Sequence, residues 1–454
     1  MNIDQLREAL KSFKMTDVDF KGYAQLYNKL HSERETIGRW KFLRNPDEGK
    51  ILQYSSLPIP DKESLADSLA RLTVCKLNGG LGTSMNCQGP KSAIIVRGKK
   101  TFLDLIIEQM IELNNKFQSD VPLMLMNSFR THSTTDRIVG LSKGVTKVIS
   151  FCQNWYPRLL ADDSGFLDAL KLNLDAWYPP GHGDLYSCLF DKGYIDDLLK
   201  EGREYLFISN SDNLGATVDL KILNFIISNE IPFLMEVASK TEVDTKGGVL
   251  YQNKKQIKLL EIADVPLEHV PEFCGTDKFK FFNTNNIWVN LVQIKKLLEE
   301  GSLNLDLIVN RKVIKNLNIL QLETAVGSAF NSIPGAVGMN VPRSRFLSVK
   351  KTSDLLLVQS SLYKLERGTL KRNLAAKITS LPKVHFRSPF DELKEYQKRI
   401  PVSPDITSLE TLELEGQVSF KGEVTLKGNV RLISKNKSIK IPKGAVLEDK
   451  EVVS

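Results

Sequence analysis

The chain has 454 residues, 42% of them hydrophobic and 26% charged, with 62 Lys and Arg against 54 Asp and Glu for a net charge of +8. That length exceeds what one core ordinarily fills, and the balance of apolar and charged residues suggests neither a disordered chain nor a membrane protein. The positive excess is spread along the chain, with only short runs such as Lys435 to Lys443, so nucleic acid is not expected as a partner; a mild basic balance suits small polyanionic substrates.

The five cysteines, at 75, 87, 152, 188 and 274, are scattered and form no C-x-x-C pair, which argues against a disulfide framework and against a zinc site. No apolar run approaches the roughly 18 residues of a membrane span. The start, Met1-Asn-Ile-Asp-Gln, does not read as a leader of basic residues followed by an apolar core. The expectation is a cytoplasmic protein with no membrane contact.

In chain order, Ile3, Leu6, Leu10 and Phe13, then Tyr23, Leu26, Tyr27 and Leu30, recur at helical spacing and end at the Pro58-Ile-Pro60 break. Residues 1–65 are therefore expected to form a helical N-terminal segment without chemistry of its own. From 66 to 350, short, mostly apolar runs at 72–77, 123–126, 147–151, 205–208 and 233–237 alternate with helical patterns at 101–117, 184–201 and 218–229. Strands that are apolar on consecutive positions must be covered on both faces, so the fold class is α/β with a mostly parallel sheet and ligands beyond the C-terminal strand ends.

The first of these strands runs into Leu77-Asn-Gly-Gly-Leu-Gly-Thr-Ser-Met-Asn-Cys-Gln-Gly-Pro-Lys91. Gly79, Gly80 and Gly82 allow positive φ and let backbone N–H groups approach an anion, and Lys91 adds a point charge. The pattern is not G-x-x-x-x-G-K-[ST]: Gly82 to Gly89 is too long, and Pro90 pushes the lysine onto an extended arm. Asp212 follows the strand at 205–208, where a carboxylate can hold a divalent cation or cap the next helix.

After 351 the chain changes character, with prolines at 382, 389, 401 and 404. Then Gly416-Gln-Val418, Gly422-Glu-Val424 and Gly428-Asn-Val430 recur every six residues, echoed by Gly444-Ala-Val446. Hexapeptide spacing with one inward aliphatic per repeat suggests a β-helix, with hairpin strands as the alternative. Residues 351–454 are read as a linker and a left-handed β-helix domain.

The glycine stretch resembles the nucleotide loop of eukaryotic-type UTP:glucose-1-phosphate uridylyltransferases, the UDP-glucose pyrophosphorylases. Further motifs of that family follow in order: Phe151-Cys-Gln-Asn-Trp-Tyr-Pro-Arg158, Trp177-Tyr-Pro-Pro-Gly-His-Gly-Asp184, Ser209-Asn-Ser-Asp-Asn213, Lys246-Gly-Gly248, Phe282-Asn-Thr-Asn-Asn286 and Val341-Pro-Arg-Ser-Arg-Phe346, with Lys350 beyond. The resemblance implies a Rossmann-like nucleotidyltransferase domain at 66–350 that joins UTP and glucose 1-phosphate, with Mg2+, to give UDP-glucose and pyrophosphate.

It implies Lys91 and Lys350 as catalytic lysines on the α-phosphate and Asp212 as the metal carboxylate. Leu77, Asn78, Gly79, Gly80, Gln153 and Gly181 would join them around the nucleotide, the Gln153 amide matching an imide edge with one donor and one acceptor. His182, Asn210, Ser211, Gly248, Glu261, Asn283 and Asn285 are the implied sugar-phosphate contacts. Arg343 and Arg345 are expected in ion pairs, and Trp155, Trp177 and Trp288 in the core. Relatives self-associate through the C-terminal domain, so a homo-oligomer is an available expectation, although this chain's last residues, Glu448 to Ser454, fall short of the animal pattern. A pyrophosphorylase for an N-acetylated or other hexose phosphate, a binding or assembly subunit without activity, and a P-loop hydrolase are the competing readings.

Overall fold

The computed structural model describes residues 3–454 except 14, 33–39, 88, 142–145, 168–172, 242, 243, 245, 246 and 377–379. Gln88 of the glycine loop and Lys246 of the Lys246-Gly-Gly248 motif lie outside the described residues.

A ten-stranded sheet organises the chain. Its strands are β1 (Leu52–Gln53), β2 (Leu72–Asn78), β3 (Leu123–Asn127), β4 (Val148–Cys152), β5 (Tyr205–Asn210), β6 (Phe233–Ser239), β7 (Val249–Asn253), β8 (Gln256–Leu260), β9 (Phe281–Asn290) and β10 (Val337–Asn340). Along the main path the order is β1-β10-β6-β9-β5-β2-β3-β4, with β7 and β8 branching from β9. All neighbours on that path run parallel except β9, which is antiparallel to both β5 and β6. The sheet is mixed and mostly parallel, as expected.

Both faces are covered, which explains the mostly apolar runs. Leu72 and Val74 pack with Phe102, Leu105 and Ile106, while Cys75 and Leu77 on the other face pack with Leu185, Tyr186 and Leu189. The helix Phe102–Phe117 starts in a capping box between Thr101 and Asp104. The helical pattern at 184–201 is two helices, Leu185–Asp191 and Tyr194–Lys200. Gly193, at φ +74°, turns the chain between them.

The N-terminal helices Ile3–Leu10 and Asp17–His31 cap the hairpin Leu307–Ile314/Leu317–Thr324, with Tyr23, Leu26 and Tyr27 clustered against Leu320 and Leu322. The boundary drawn at 350 is not a break in packing. Leu355 and Leu356 of the helix Thr352–Gln359 share one apolar cluster with Phe102 and with Leu412, Leu426 and Val430.

Strands Asp405–Phe420 and Thr425–Ile441 pair in parallel although only residues 421–424 join them. Four residues cannot return a straight strand to its start, so each strand bends and the chain winds on itself. Leu412 lies beside Val430 and Thr425 beside Val446, a winding of 18 to 21 residues. Three six-residue repeats make one such winding. Parallel pairing rules out hairpins here.

Candidate active site

The site begins where β2, β3 and β5 end together. Asn78 donates from Nδ2 to Asn127 Oδ1 at 2.7 Å and to Thr135 Oγ1 at 2.9 Å. Thr131 and Ser128 hydroxyls donate to the carbonyls of Asn78 and Gly79, both at 3.0 Å. The backbone leaving β2 is thus held rigid just as it enters the glycines.

Gly79 is glycine because a Cβ there would stand 2.5 Å from Gln153 Nε2, whereas Gly80 has no atom within 4 Å of that position and faces open space. Gln153 follows β4, its N–H donating to Asn127 O at 2.8 Å. Its Oε1 is buried and has no hydrogen-bond partner. A buried acceptor left unpaired beside an open glycine face is what an imide N–H would satisfy.

Gly82, at φ +59°, turns the loop back so that Lys91 N–H donates to Gly80 O at 3.0 Å. Lys91 begins a single 3-10 turn, Lys91–Ala93, after an extended Pro90, so the arm expected from proline is one residue long. Its Nζ forms an ion pair with Asp212 Oδ2, both side chains about 13% exposed. Asp212 caps no helix: Asp219 caps Leu220–Ser228, accepting from Lys221 and Ile222 N–H.

The segment carrying Lys350 reaches the same place from elsewhere in the chain. Val349 N–H donates to Asp212 O at 3.3 Å, and Ser84 Oγ of the glycine loop donates to Lys350 O at 2.7 Å. Lys350 acts electrostatically on both His182 and Glu261. Burial, aided by Lys350, lowers the His182 pKa to about 4. His182 Nδ1 accepts from Val326 N–H at 3.0 Å, so the neutral ring carries its proton on Nε2. Burial raises Glu261 to about 7, with Asp264 adding to the rise and Lys350 opposing it.

The remaining polar groups form one chain of contacts. Asn285 Nδ2 donates to Asn210 Oδ1 at 2.9 Å, Asn285 N–H to Asn283 Oδ1 at 2.7 Å, and Asn283 N–H to Gly248 O at 2.7 Å. A Cβ on Gly248 would lie 2.7 Å from the Glu261 carboxyl. Ser211 N–H donates to Leu77 O at 3.2 Å, joining this side to the nucleotide loop. Gly181, at φ +84°, has no room for a side chain against Thr324 O. These contacts join Asn210, Gly248, Glu261, Asn283 and Asn285 to one another, and Ser211 to Leu77 at the end of β2.

A model of the family described as UTP--glucose-1-phosphate uridylyltransferase matches residues 19–427. The chain belongs to that family. A relative of that name from Hordeum vulgare is 45% identical over 457 residues, covering 99% of this chain and 96% of its own. UTP--glucose-1-phosphate uridylyltransferase 2 of Dictyostelium discoideum is 44% identical, over 94% of this chain and 86% of its own. Among solved structures, a UDP-glucose pyrophosphorylase variant from Leishmania major in complex with UDP-glucose superposes with TM-score 0.88 at 28% identity, covering 100% of this chain and 99% of the other. The UDP-glucose phosphorylase of Trypanosoma brucei superposes with TM-score 0.86 at 31% identity and 98% coverage of each chain.

Within this family member, sequence reasoning passed over the polar shelf after β3, Asn127, Ser128, Thr131 and Thr135. The signal was a run of amide and hydroxyl side chains where an apolar parallel strand stops. It also passed over the buried links of Asn213, whose Oδ1 accepts from Gly215 and Leu347 N–H. Arg345, expected in an ion pair, binds Glu236 through two hydrogen bonds of 2.6 and 2.7 Å. Arg343 pairs with Asp244 at 2.7 Å, so both arginines are structural ion pairs. Trp288 is core, but Trp155 is 45% exposed, its ring set edge-on to Phe129, and the core assignment for it is corrected. Trp177 is partly buried, edge-on against Phe13.

Among the described residues, no three His, Cys, Asp or Glu side chains gather into a metal cluster. Asp212 offers one carboxylate at the mouth of the glycine loop. That donor set fits magnesium, which takes one or two protein carboxylates and completes its shell with water and phosphate oxygens.

Proposed function

We propose that this chain makes UDP-glucose by in-line displacement at the α-phosphorus of UTP. An oxygen of the glucose 1-phosphate phosphate attacks, the bond to the β-phosphate oxygen breaks, and pyrophosphate leaves with that electron pair. No side-chain nucleophile takes part. Two anions must be brought together, so the protein's work is neutralisation and alignment.

Lys91 and Lys350 carry the positive charge to the α-phosphate, with backbone N–H groups of Gly79 and Gly80 beside them. Asp212 holds the magnesium ion, which supplies further charge neutralisation on the phosphate oxygens when bound. Gln153 accepts the uracil imide N–H on its unpaired Oε1 and donates from Nε2 to a neighbouring base carbonyl, with Leu77, Asn78 and Gly181 closing around the base. Cytosine presents the reverse pattern and leaves that buried acceptor unsatisfied. The neutral His182 donates from Nε2 to the sugar phosphate. Asn210, Ser211, Gly248, Glu261, Asn283 and Asn285 hold the hexose hydroxyls.

The observation carrying this reading is the meeting of Lys91, Asp212 and the Lys350 segment at the mouth of the glycine loop. The wound C-terminal strands support a β-helix, for which we adopt the left hand implied by the family, and Val446 and Val453 exposed on the last winding support self-association there. Five free cysteines suit a cytoplasmic setting. The test is a pyrophosphate-release assay crossing ATP, CTP, GTP and UTP with several sugar 1-phosphates. Release with UTP and glucose 1-phosphate, and little with CTP or N-acetylglucosamine 1-phosphate, is expected; preference for another base or for the N-acetylated sugar contradicts the reading.

A further inference from the structure

Strand β2 reads Leu72-Thr-Val-Cys-Lys-Leu-Asn78, and its lysine, Lys76, is 2% exposed. Burying an ammonium group without a counter-ion costs several kcal/mol. Among the described residues no carboxylate pairs with Lys76, and Glu236, whose charge reaches it, is already bound by Arg345. Lys76 Nζ instead donates to Ser209 Oγ at 2.7 Å and to Ala216 O at 2.8 Å.

Burial, with the nearby Arg345 charge, pulls the Lys76 pKa down to about 7. A neutral amine keeps two N–H donors, and these two oxygens are the acceptors it has. The contact therefore survives loss of the proton, which accounts for a lysine tolerated here without a paired carboxylate.

The position of the two acceptors gives the contact its meaning. In the parallel register of β2 and β5, Ser209 lies directly opposite Lys76, and Ala216 closes the turn that follows Asp212. Lys76 thus grips both stems of the Asn210–Gly215 loop. The next residues after it, Leu77 to Gly80, begin the glycine loop that carries Lys91.

We propose that Lys76 is a positioning residue for uridylyl transfer: by tying Ser209 and Ala216 to β2, it fixes the loop bearing Asp212 against the loop bearing Lys91. This rests on the function proposed above for Asp212 and Lys91. It predicts that alignment, rather than stability, is lost when the amine goes.

Lys76→Met separates the two. Methionine keeps the volume and suits the apolar wall of Val74, Ile106 and Met110, which together with Lys76 line a cavity of about 570 Å³. Replacing a buried charge by a well-packed apolar side chain is often neutral or stabilising, so Tm should hold or rise. Meanwhile kcat should fall by about tenfold or more and the Mg2+ concentration for half-maximal rate should rise, as for a misaligned site. Amide hydrogen exchange at 209–216, measured without substrates, should accelerate.

Ser209→Ala is the second variant. It should give a smaller loss of kcat, and the double variant should be no worse than Lys76→Met alone, because both remove one link. A wild-type kcat in Lys76→Met, unchanged exchange at 209–216, or additive losses in the double variant would overturn the proposal. Exchange is read without turnover, so an enzyme lacking uridylyl transfer would refute the functional reading while leaving the Lys76 strap separately measurable.

Discussion

Lys91 and Asp212, 121 positions apart, form an ion pair between the end of the glycine loop and the loop beyond β5. Under the function proposed above Lys91 serves a phosphate and Asp212 a cation, and here the two charges neutralise each other. On that proposal each exchanges this partner for its ligand, and the pair holds two opposite charges in place at low desolvation cost.

Lys91→Met should therefore lower kcat/KM by about two to three orders of magnitude, the scale of losing one preorganised charge at a transition state. The fold should remain intact by circular dichroism. The same variant should bind Mn2+ more tightly than the wild type in the absence of nucleotide, because Asp212 is freed of its cation. Electron paramagnetic resonance of free Mn2+ reads this directly, and tighter binding by the wild type would contradict it.

The two first glycines of the loop predict opposite behaviour. Gly79→Ala places a methyl 2.5 Å from Gln153 Nε2 and must push that side chain away, so KM for UTP should rise about tenfold or more and CTP should be rejected less well. Gly80→Ala meets nothing within 4 Å and should leave Tm unchanged, its effect confined to ligand binding. Steady-state kinetics with both nucleotides and a thermal melt distinguish the pair.

His182 and Glu261 predict opposing pH dependences of stability. His182 in the folded enzyme has its pKa lowered to about 4 from 6.5, so the unfolded chain takes up the proton first and stability is lost as pH falls through that window. Glu261 has its pKa raised from 4.5 to about 7, so the folded enzyme keeps the proton longer and stability declines as pH rises from 4.5 to 7. His182→Asn should flatten the first slope and Glu261→Gln the second, measured by urea unfolding from pH 4 to 8. Because His182 stays neutral above its lowered pKa, the rate should show no limb near 6.5 attributable to it.

Arg345 is a stability residue. It is buried against Glu236, which is fully buried and also accepts from Trp288 Nε1 at 2.9 Å and Asn286 Nδ2 at 3.0 Å. Arg345→Met leaves that carboxylate without its cation and should cost about 3–5 kcal/mol in urea unfolding, the range for breaking a buried pair from one side. A loss below about 1 kcal/mol would show that the pair is dispensable.

Much of the fold was legible because strands covered on both faces are apolar at most positions: 123–126 and 205–208 are apolar throughout, and 72–77 and 233–237 are interrupted only by Thr73, Lys76 and Glu236. The antiparallel β9 was not: Phe281–Asn290 carries Asn283, Asn285 and Asn286 among its apolar residues and reads as a loop until its partners on both sides are known. The helical run at 184–201 hid its break because apolar spacing resumes after Gly193. Site residues with unusual local chemistry, such as Gly79, Lys91 and Asp212, stood out. Lys76 did not, since one lysine in an apolar strand looks like noise until Ser209 and Ala216 are placed around it.

The central claim is that the glycine loop, Gln153, the two lysines and Asp212 enclose one ligand. A crystal structure of this chain soaked with UDP-glucose tests it most directly. The account predicts the uracil edge on Gln153, the diphosphate between Lys91 and Lys350, and the hexose among Asn210, Glu261, Asn283 and Asn285. UDP-glucose bound away from Gln153, or with its phosphates beyond reach of both lysines, would contradict it.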